Sequence, residues 1–388
     1  MRAFIDEIDG AAPIAIDAER AQSFRYSAKA YLIQFHQDGC GTYLLDPIAL
    51  AEPDGIARLD ELSDALAGCE WVIHAASQDL PCLAEVGLIP NRVFDTELAG
   101  RLLGLNRVSL SPMLTHYLGI ELTKAHSADD WSRRPLPSAL LAYAALDVDY
   151  LVELRDAVER ELQAAGKAGW ADQEFADLIE RFATVPQDDP DRWRGIKSLG
   201  RLRQPRELAV ARALWQVRDE LARHADMAPG RILSDKALVD ASSELARRHR
   251  DHVEDDLVTL PGFTGPFIRR HQRRWVSAVV RTLDADPKDW PHRRRAQSIP
   301  APRLWEQSYP TAAARWAIAR PFILDLAEQH SLPPENLLTV GCLAQVVWPD
   351  DADFSESGLR VALAATGARP WQQDLVAPAL ADALRDVG

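Results

Sequence analysis

Short apolar runs, several of them alternating with polar residues, mark the first half of the chain as a series of β-strands. Each run is set off by glycine, aspartate or proline, and the runs cover residues 13–19, 31–35, 42–46 and 71–76. Runs of this length and pattern predict strands. Because short connections join the first three, we expect them to form an antiparallel meander.

Helical periodicity fills the rest of this first segment. The last helical run covers residues 138–181, with Gly166 and Gly169 as expected interruptions. The earlier helical patterns lie in residues 79–87, 93–104 (where a strand end passes into a helix) and 111–120. This order of elements predicts an α/β fold, a mixed sheet flanked by helices.

Two polar stretches that contain several prolines divide the remainder of the chain. The segments that they delimit have helical patterns throughout, and stretches of this composition commonly link separate domains. We therefore expect an α/β domain followed by two small all-α domains. The expected boundaries are 1–184 for the first domain, 185–205 for a linker, 206–283 for the second domain, 284–303 for a linker and 304–388 for the third domain.

Charge is distributed unevenly over these segments. The chain has 388 residues and a net charge of −14, which by itself argues against a polyanionic partner. Residues 185–304, however, carry a net charge of +7, whereas residues 1–184 carry −15 and residues 305–388 carry −6. A basic middle segment between acidic ends favours contact of that segment with phosphate groups.

The sequence gives no sign of a membrane or of an oxidising compartment. It contains no run of about 18 apolar residues, the length that a transmembrane helix needs. Its first twenty residues lack the basic start and long apolar core of a signal peptide. The four cysteines have no close paired spacing, which is typical of reduced thiols. We expect a cytoplasmic protein without a membrane partner.

Carboxylates stand in or directly after two of the predicted strands. Asp17 and Glu19 are two residues apart in one strand, so they point to the same face. Asp79 follows the strand predicted over 71–76, at the start of a helix, where an anion is favoured. Alone, each is most simply an exposed or capping acid. A neighbouring strand end could nevertheless deliver Asp79 to the place where Asp17 and Glu19 lie.

Tyr143 and Asp147 are four residues apart in a helical run and therefore share one face of that helix. A tyrosine at the core edge beside an exposed aspartate is the simpler interpretation of this pair alone. Four carboxylates and a phenol together favour a different interpretation, a metal-dependent site for phosphodiester hydrolysis. Two Mg²⁺ or Mn²⁺ ions held by carboxylates clamp the attacking water and the leaving oxygen in phosphodiester hydrolysis. A nearby tyrosine could orient or deprotonate that water.

Three motifs around these residues resemble the ribonuclease D family of the DEDD exonuclease superfamily. IDAE (16–19) looks like the first exonuclease motif of this family, and HAASQDL (74–80) looks like the second. YAALDVDYL (143–151) looks like the third motif in its tyrosine variant. FDTELAGRLLG (94–104) and DWSRRPLP (130–137) are also similar to this family. The resemblance covers most of residues 13–155 and depends on the order and spacing of the motifs.

The two helical segments also resemble parts of ribonuclease D. RILSDKALVDAS (231–242) and LVTLPGFTG (257–265) are similar to the helical domain shared by helicases and ribonuclease D, called HRDC. The stretch between them, ELARRHRDHVEDDL, is more charged than the usual apolar helix of that domain. The last segment, with SLPPENLLT (331–339), is similar to the second HRDC-like domain of ribonuclease D.

This resemblance implies an RNase H-like exonuclease domain followed by two HRDC-like domains. It also implies a 3′→5′ exoribonuclease that releases nucleoside 5′-monophosphates from RNA 3′ ends, with tRNA precursors as the family's usual substrate. By resemblance, two divalent ions, Mg²⁺ or Mn²⁺, have Asp17, Glu19, Asp79 and Asp147 as ligands, and Tyr143 orients the water. All five positions are filled as the family requires. We expect the protein to be a monomer.

Basic residues in two places are candidates for RNA contact. FIRRHQRRW (267–275) contains Arg269, Arg270, Arg273 and Arg274 next to two aromatic residues, Phe267 and Trp275. Arginines bind phosphates and aromatic rings stack on bases, although a solvated helix face is an equally simple interpretation. By resemblance, the loop before the third motif lies near the substrate, where Lys124 and Arg134 could hold a phosphate or the leaving strand.

Two other functions remain open from the sequence alone. A DNA 3′→5′ exonuclease of the proofreading type uses the same acids, and a non-catalytic nucleic-acid-binding protein could retain them. The attached helical domains and the stretch RPLP (134–137) favour the RNA exonuclease.

Overall fold

A mixed sheet forms the centre of the first segment. The computed structural model describes residues 1–51, 57–122, 129–185, 187, 189–293 and 299–385. Within these ranges the strands are Ile14–Arg20 (β1), Ala30–Gln37 (β2), Gly41–Leu45 (β3), Trp71–Ile73 (β4) and Val93–Asp95 (β5). Their order is β3-β2-β1-β4-β5. β1, β2 and β3 form the predicted antiparallel meander, whereas β4 pairs parallel with β1 and β5 parallel with β4.

Helices cover this sheet, which confirms the predicted α/β fold. The helices of the first segment are Arg2–Glu7 (α1), Pro47–Leu50 (α2), Asp60–Ala65 (α3), Leu80–Glu85 (α4), Thr96–Leu102 (α5), Leu110–Leu118 (α6), Ser138–Asp149 (α7), Leu151–Ala164 (α8) and Ala168–Phe182 (α9). The run predicted over 138–181 breaks at Tyr150 and at Gly166, whose φ of 68° suits glycine. Gly169, an expected interruption, lies inside α9.

The middle segment is all-helical and has its own apolar core. Its helices are Pro205–Ala225 (α10), Pro229–Ile232 (α11), Asp235–Leu245 (α12), Val253–Leu257 (α13), Pro266–Arg270 (α14) and Gln272–Asp284 (α15). Trp193, Ile196 and Leu202 are buried in this core. The linker expected over 185–205 therefore needs correction from Trp193 onward, because these apolar side chains pack with the helices that follow.

The last segment is also helical but shares its core with the first. Its helices are Trp305–Ser308 (α16), Pro310–Gln329 (α17), Pro334–Leu337 (α18), Val340–Val347 (α19), Glu356–Ala365 (α20) and Pro370–Leu384 (α21). One continuous cluster of buried apolar residues includes the central strands and most of these helices. The first and last segments are therefore packed against each other through this core, in addition to being connected by the polypeptide chain.

Buried polar contacts hold the last segment against α9. Glu174 is buried and accepts hydrogen bonds from Arg369 Nε at 2.7 Å and from Trp371 Nε1 at 2.8 Å. Lys167 Nζ donates to the Leu102 and His330 carbonyls, both at 2.6 Å. A buried cation or carboxylate is costly unless it is hydrogen-bonded. These partners therefore specify one orientation of the two segments.

The middle segment docks on the loop between β1 and β2. Tyr26 Oη in that loop donates to the buried Asp219 carboxylate at 2.9 Å. Arg231 Nε donates to the Ser23 carbonyl at 2.6 Å, and its guanidinium lies over the Phe24 ring, 4.3 Å from the centroid. Because this loop continues directly from β1, the middle segment contacts the chain only a few residues after Glu19.

None of the helices in the described ranges combines the length and the apolar character that crossing a lipid bilayer requires.

Candidate active site

Three of the predicted carboxylates meet between β1 and α7. Asp17 and Glu19 lie on one face of β1, and α7 packs across β1, β2 and β3 on that face. This packing brings Asp147 of α7 to the strand, so that carboxylate oxygens of Asp17, Glu19 and Asp147 lie within 4.8 Å of one another. A cluster this tight repels itself unless a cation or protons neutralise it.

Asp79 joins the cluster from the neighbouring strand. β4 runs parallel to β1, so the chain that leaves its carboxyl end passes the end of β1. Asp79 lies there, before α4, with only 4% of its surface exposed. After burial, the nearby Asp17 carboxylate is the next cause that raises the pKa of Asp79. Two carboxylates this close disfavour each other's charge unless a cation lies between them.

Asp95 positions the turn that leads to Asp79, and the sequence analysis did not identify it. Its buried carboxylate accepts hydrogen bonds from the backbone N–H of Ala75 at 3.1 Å and of Ala76 at 2.8 Å. It also caps α5 by accepting from Glu97 and Leu98. Ala75 has a φ of 64°, a conformation that L-residues rarely adopt. The available signal was an acid at the end of a short apolar strand, directly before a helix.

Tyr143 lies one turn before Asp147 on α7, as predicted. Its hydroxyl hydrogen-bonds with the Asp147 carboxyl group, and burial together with Asp147 raises the pKa of the phenol. The Tyr143 ring is tilted against the buried Trp131 ring at a centroid distance of 6.5 Å. Packing on one side and the hydrogen bond on the other fix the direction of the hydroxyl.

The electrostatics of the cluster favour bound cations. Burial raises the pKa of Asp17 and that of Asp79, the latter far above its ordinary value. Burial, with Asp17 next in importance, raises the pKa of Glu19 to about 9 and that of Asp147 to about 7. Clustered carboxylates in a low-dielectric site hold protons when no cation is present. Hard divalent cations bind such oxygen ligands, so the residues present fit this class of metal ion.

Arg20 is a second residue that the sequence analysis did not identify. It follows Glu19 in β1, and its Nη1 donates to the Gln78 carbonyl at 2.7 Å. Its Nη2 lies 3.4 Å from Asp79 Oδ1. The guanidinium therefore lowers the pKa of Asp17, Glu19 and Asp79 against the larger effect of burial. A basic residue directly after the D-x-E triplet was the available signal.

Arg134 does not fit the phosphate contact expected of it. An arginine has five N–H donors. All five are used inside the protein: Nε and Nη2 donate to Asp46 at 2.6 and 2.8 Å, and the other hydrogen bonds go to the carbonyls of Tyr31, Trp131 and Arg133. We therefore correct its role to joining the loop before α7 to β2 and α2. Lys124, the other residue expected there, lies outside the described residues.

The arginines of 267–275 lie in the middle segment, apart from the acidic cluster. Arg269 and Arg270 end α14, and Arg273 and Arg274 begin α15. All four are exposed, and Arg274 Nη2 donates to Glu220 at 2.6 Å. Trp275 is fully buried against Phe263, so it is not available to stack on a base.

Family models match all three segments. Residues 1–163 match a family described as "3'-5' exonuclease", residues 207–279 match "HRDC domain", and residues 298–384 match "3' to 5' exonuclease C-terminal domain". The first match covers the acidic cluster. Together with the mixed sheet, it defines the first segment as a 3′→5′ exonuclease domain, a class that depends on divalent metal ions.

Relatives that align with more than two thirds of this chain identify the family to which it belongs. Ribonuclease D of Zymomonas mobilis is 32% identical over 292 residues, which are 72% of this chain and 70% of the relative. The structure of a protein from Bifidobacterium adolescentis is 31% identical, with a TM-score of 0.84 over 99% of this chain and 93% of that one. The fold is also that of Escherichia coli RNase D, at a TM-score of 0.69 and 24% identity over 99% of this chain and 95% of that one.

The chain belongs to the ribonuclease D family. It is a 3′→5′ exoribonuclease, and its substrate is RNA.

Proposed function

We propose that the protein removes single nucleotides from RNA 3′ ends as nucleoside 5′-monophosphates, with two Mg²⁺ or Mn²⁺ ions held by Asp17, Glu19, Asp79 and Asp147. The observation that carries this proposal is the convergence of carboxylate oxygens from β1 and α7, with Asp79 buried beside them at the end of the neighbouring parallel strand. When bound, the ions would lower the pKa of the attacking water and stabilise charge on the leaving oxygen.

Tyr143 orients the attacking water in this proposal and does not deprotonate it. Because burial raises its pKa above the ordinary value of about 10, the phenol keeps its proton near neutral pH. The hydrogen bond to Asp147 and the contact with Trp131 fix the hydroxyl. A water that hydrogen-bonds with this hydroxyl would lie beside the carboxylates that hold the ions.

The middle segment captures RNA in this proposal. It holds the basic residues Arg269, Arg270, Arg273 and Arg274, and it docks on the loop that follows β1. We further propose that structured precursors such as those of tRNA are the substrates and that one chain acts alone. The first and last segments share one core, which favours a chain that folds as a single unit.

An assay with matched substrates tests the proposed reaction. RNA and DNA of the same sequence, each labelled at the 5′ end, are incubated with the protein in EDTA, Mg²⁺ or Mn²⁺. We expect RNA to shorten one nucleotide at a time, with nucleoside 5′-monophosphates as the released product and no reaction in EDTA. Faster digestion of DNA would instead support the proofreading alternative. An absence of hydrolysis with either metal would support a protein that only binds nucleic acid.

Charge reversal tests the role of the middle segment. We expect the triple variant Arg269→Glu, Arg270→Glu, Arg273→Glu to bind RNA more weakly. Its binding should also depend less steeply on salt, by about 0.7 in log–log slope for each phosphate that the variant no longer neutralises. The matched control reverses three exposed arginines elsewhere, Arg2, Arg160 and Arg385, and changes the net charge equally. Equal weakening by both variants in a fluorescence-anisotropy titration would show a general charge effect and no local binding site.

A further inference from the structure

A buried side-chain amide lies in the sheet at the active site. Gln34 of β2 is completely inaccessible to solvent. Neither its Nε2 nor its Oε1 has a hydrogen-bond partner in the part of the chain that the structure describes. Buried polar groups are nearly always hydrogen-bonded, and exceptions often mark functional positions.

The strand register places Gln34 beneath the acidic cluster. Its Cα pairs with that of Asp17 across the antiparallel β1–β2 ladder. Residues directly opposite each other in such a pair point to the same face. Gln34 also pairs with Leu44 of β3, and Leu44 packs in one cluster with Leu140 and Ala144 of α7. The Gln34 amide therefore points to the sheet face on which α7 and the carboxylates lie.

A second buried glutamine of the same strand shows what a purely structural amide looks like. Gln37 is equally inaccessible, but it lies three positions away and so faces the other side of the sheet. Its Oε1 accepts from Asp9 N–H at 2.8 Å, and its Nε2 donates to the Asp9 carbonyl at 2.9 Å. Its amide is fully used in the protein as it stands, whereas that of Gln34 is free to act at the active site.

We propose that Gln34 is a positioning residue of the exonuclease site, whose amide orients the Asp17 carboxylate and the water around the bound divalent ions. This inference rests on the proposed function of the acidic cluster. Groups behind the direct ligands orient those ligands, and Mg²⁺ retains several of its waters, which need acceptors. An amide has both donors and an acceptor, so Gln34 can serve a carboxylate oxygen and a water together.

The test compares Gln34→Met with Gln37→Met in the full-length protein. Methionine has a similar length and lacks the amide, and both variants are assayed for thermal unfolding in EDTA, for Mn²⁺ affinity by calorimetry and for kcat and KM on RNA. We expect Gln34→Met to keep or raise the Tm in EDTA, because it removes an unpaired buried polar group. Its Mn²⁺ affinity should fall about 10- to 100-fold, and kcat should fall while KM for RNA stays the same.

The control variant should show the opposite pattern. Gln37→Met should lower the Tm and leave the Mn²⁺ affinity as in the wild type. If Gln34→Met binds Mn²⁺ as tightly as the wild type, or loses as much Tm in EDTA as Gln37→Met, the proposal is wrong and Gln34 is a structural residue. If Gln34→Met does not fold, Gln34→Asn is compared with the wild type by Mn²⁺ affinity and kcat alone, because withdrawing the amide by one methylene should still lower both, whereas the cavity lowers the Tm in either case. A wild-type protein that neither binds Mn²⁺ nor hydrolyses RNA would overturn the proposed function itself.

Discussion

Replacement of Asp17 or Asp147 by asparagine should lower kcat on RNA by at least about a thousandfold, because each provides a ligand whose loss removes several kcal/mol of transition-state stabilisation. An asparagine has the same shape but no charge, so a divalent ion loses one of its anionic ligands. The geometry of the cluster predicts this outcome, since the two carboxylates come from β1 and α7 and meet within 4.8 Å. Product release from a labelled RNA in Mn²⁺ measures the effect.

The control for this prediction lies on the same helix. Asp149 follows Asp147 by two residues and therefore faces elsewhere, toward Thr42 and His36 of the sheet. We expect Asp149→Asn to retain wild-type activity. RNA affinity in EDTA should be unchanged in the Asp17 and Asp147 variants, because capture is attributed to the middle segment. Residual activity near the wild-type level in either variant would mean that the cluster is not the catalytic site.

The metal-free protein should lose at least about 3 kcal/mol of stability between pH 6.5 and pH 8.5, because each proton that the folded cluster retains contributes a loss of about 1.4 kcal/mol per pH unit. The sign follows from the raised pKa of Glu19, about 9 in the folded protein. In this pH window the unfolded chain has already released that proton, whereas the folded chain still holds it, so rising pH favours unfolding. Asp147, with a pKa of about 7, adds to the loss near the lower end of the window.

The choice of window limits an opposing effect. Burial lowers the pKa of His74 to about 4, so this histidine destabilises the folded state where the unfolded histidine is protonated, below about pH 6.5. Above that pH the unfolded histidine loses its remaining charge within about one pH unit, and its opposing effect on the slope stays below about 0.5 kcal/mol. Thermal unfolding in EDTA from pH 6.5 to 8.5 measures the slope.

Two comparisons test the cause of this slope. Glu19→Gln should flatten it and raise the Tm at pH 8.5, while abolishing hydrolysis. Saturating Mn²⁺ should raise the Tm of the wild type more at pH 8.5 than at pH 6.5, since metal ligands bind in their deprotonated form. A level Tm across the window, or the same slope in Glu19→Gln, would contradict the buried acidic cluster as the source.

The sequence predicted the relative positions of some site residues but not of others. The strand period and the helix turn place Asp17 beside Glu19, and Tyr143 beside Asp147, without knowledge of any other part of the chain. The motif order added Asp79 to the set by family resemblance. The predictions that did not fit concern contacts between distant parts of the chain: all five donors of Arg134 bind inside the protein, and Trp275 is buried with no exposed face for a base.

The sequence by itself determined the strands and helices that carry the acidic residues, the pairs of residues that share a face, and the family that the motifs resemble. These features depend on backbone geometry over a few residues, which is the same wherever the chain goes. Only the tertiary structure decided that β4 runs parallel to β1 and brings Asp79 to Asp17, and that Arg20 and Asp95 hold the intervening turn. It also showed that Gln34 lies beneath the cluster with no hydrogen-bond partner among the described residues, and that the last segment shares the core of the first. Those contacts join residues far apart in the chain, and they form because packing removes apolar surface from water and leaves each buried polar group only the partners that the fold brings to it.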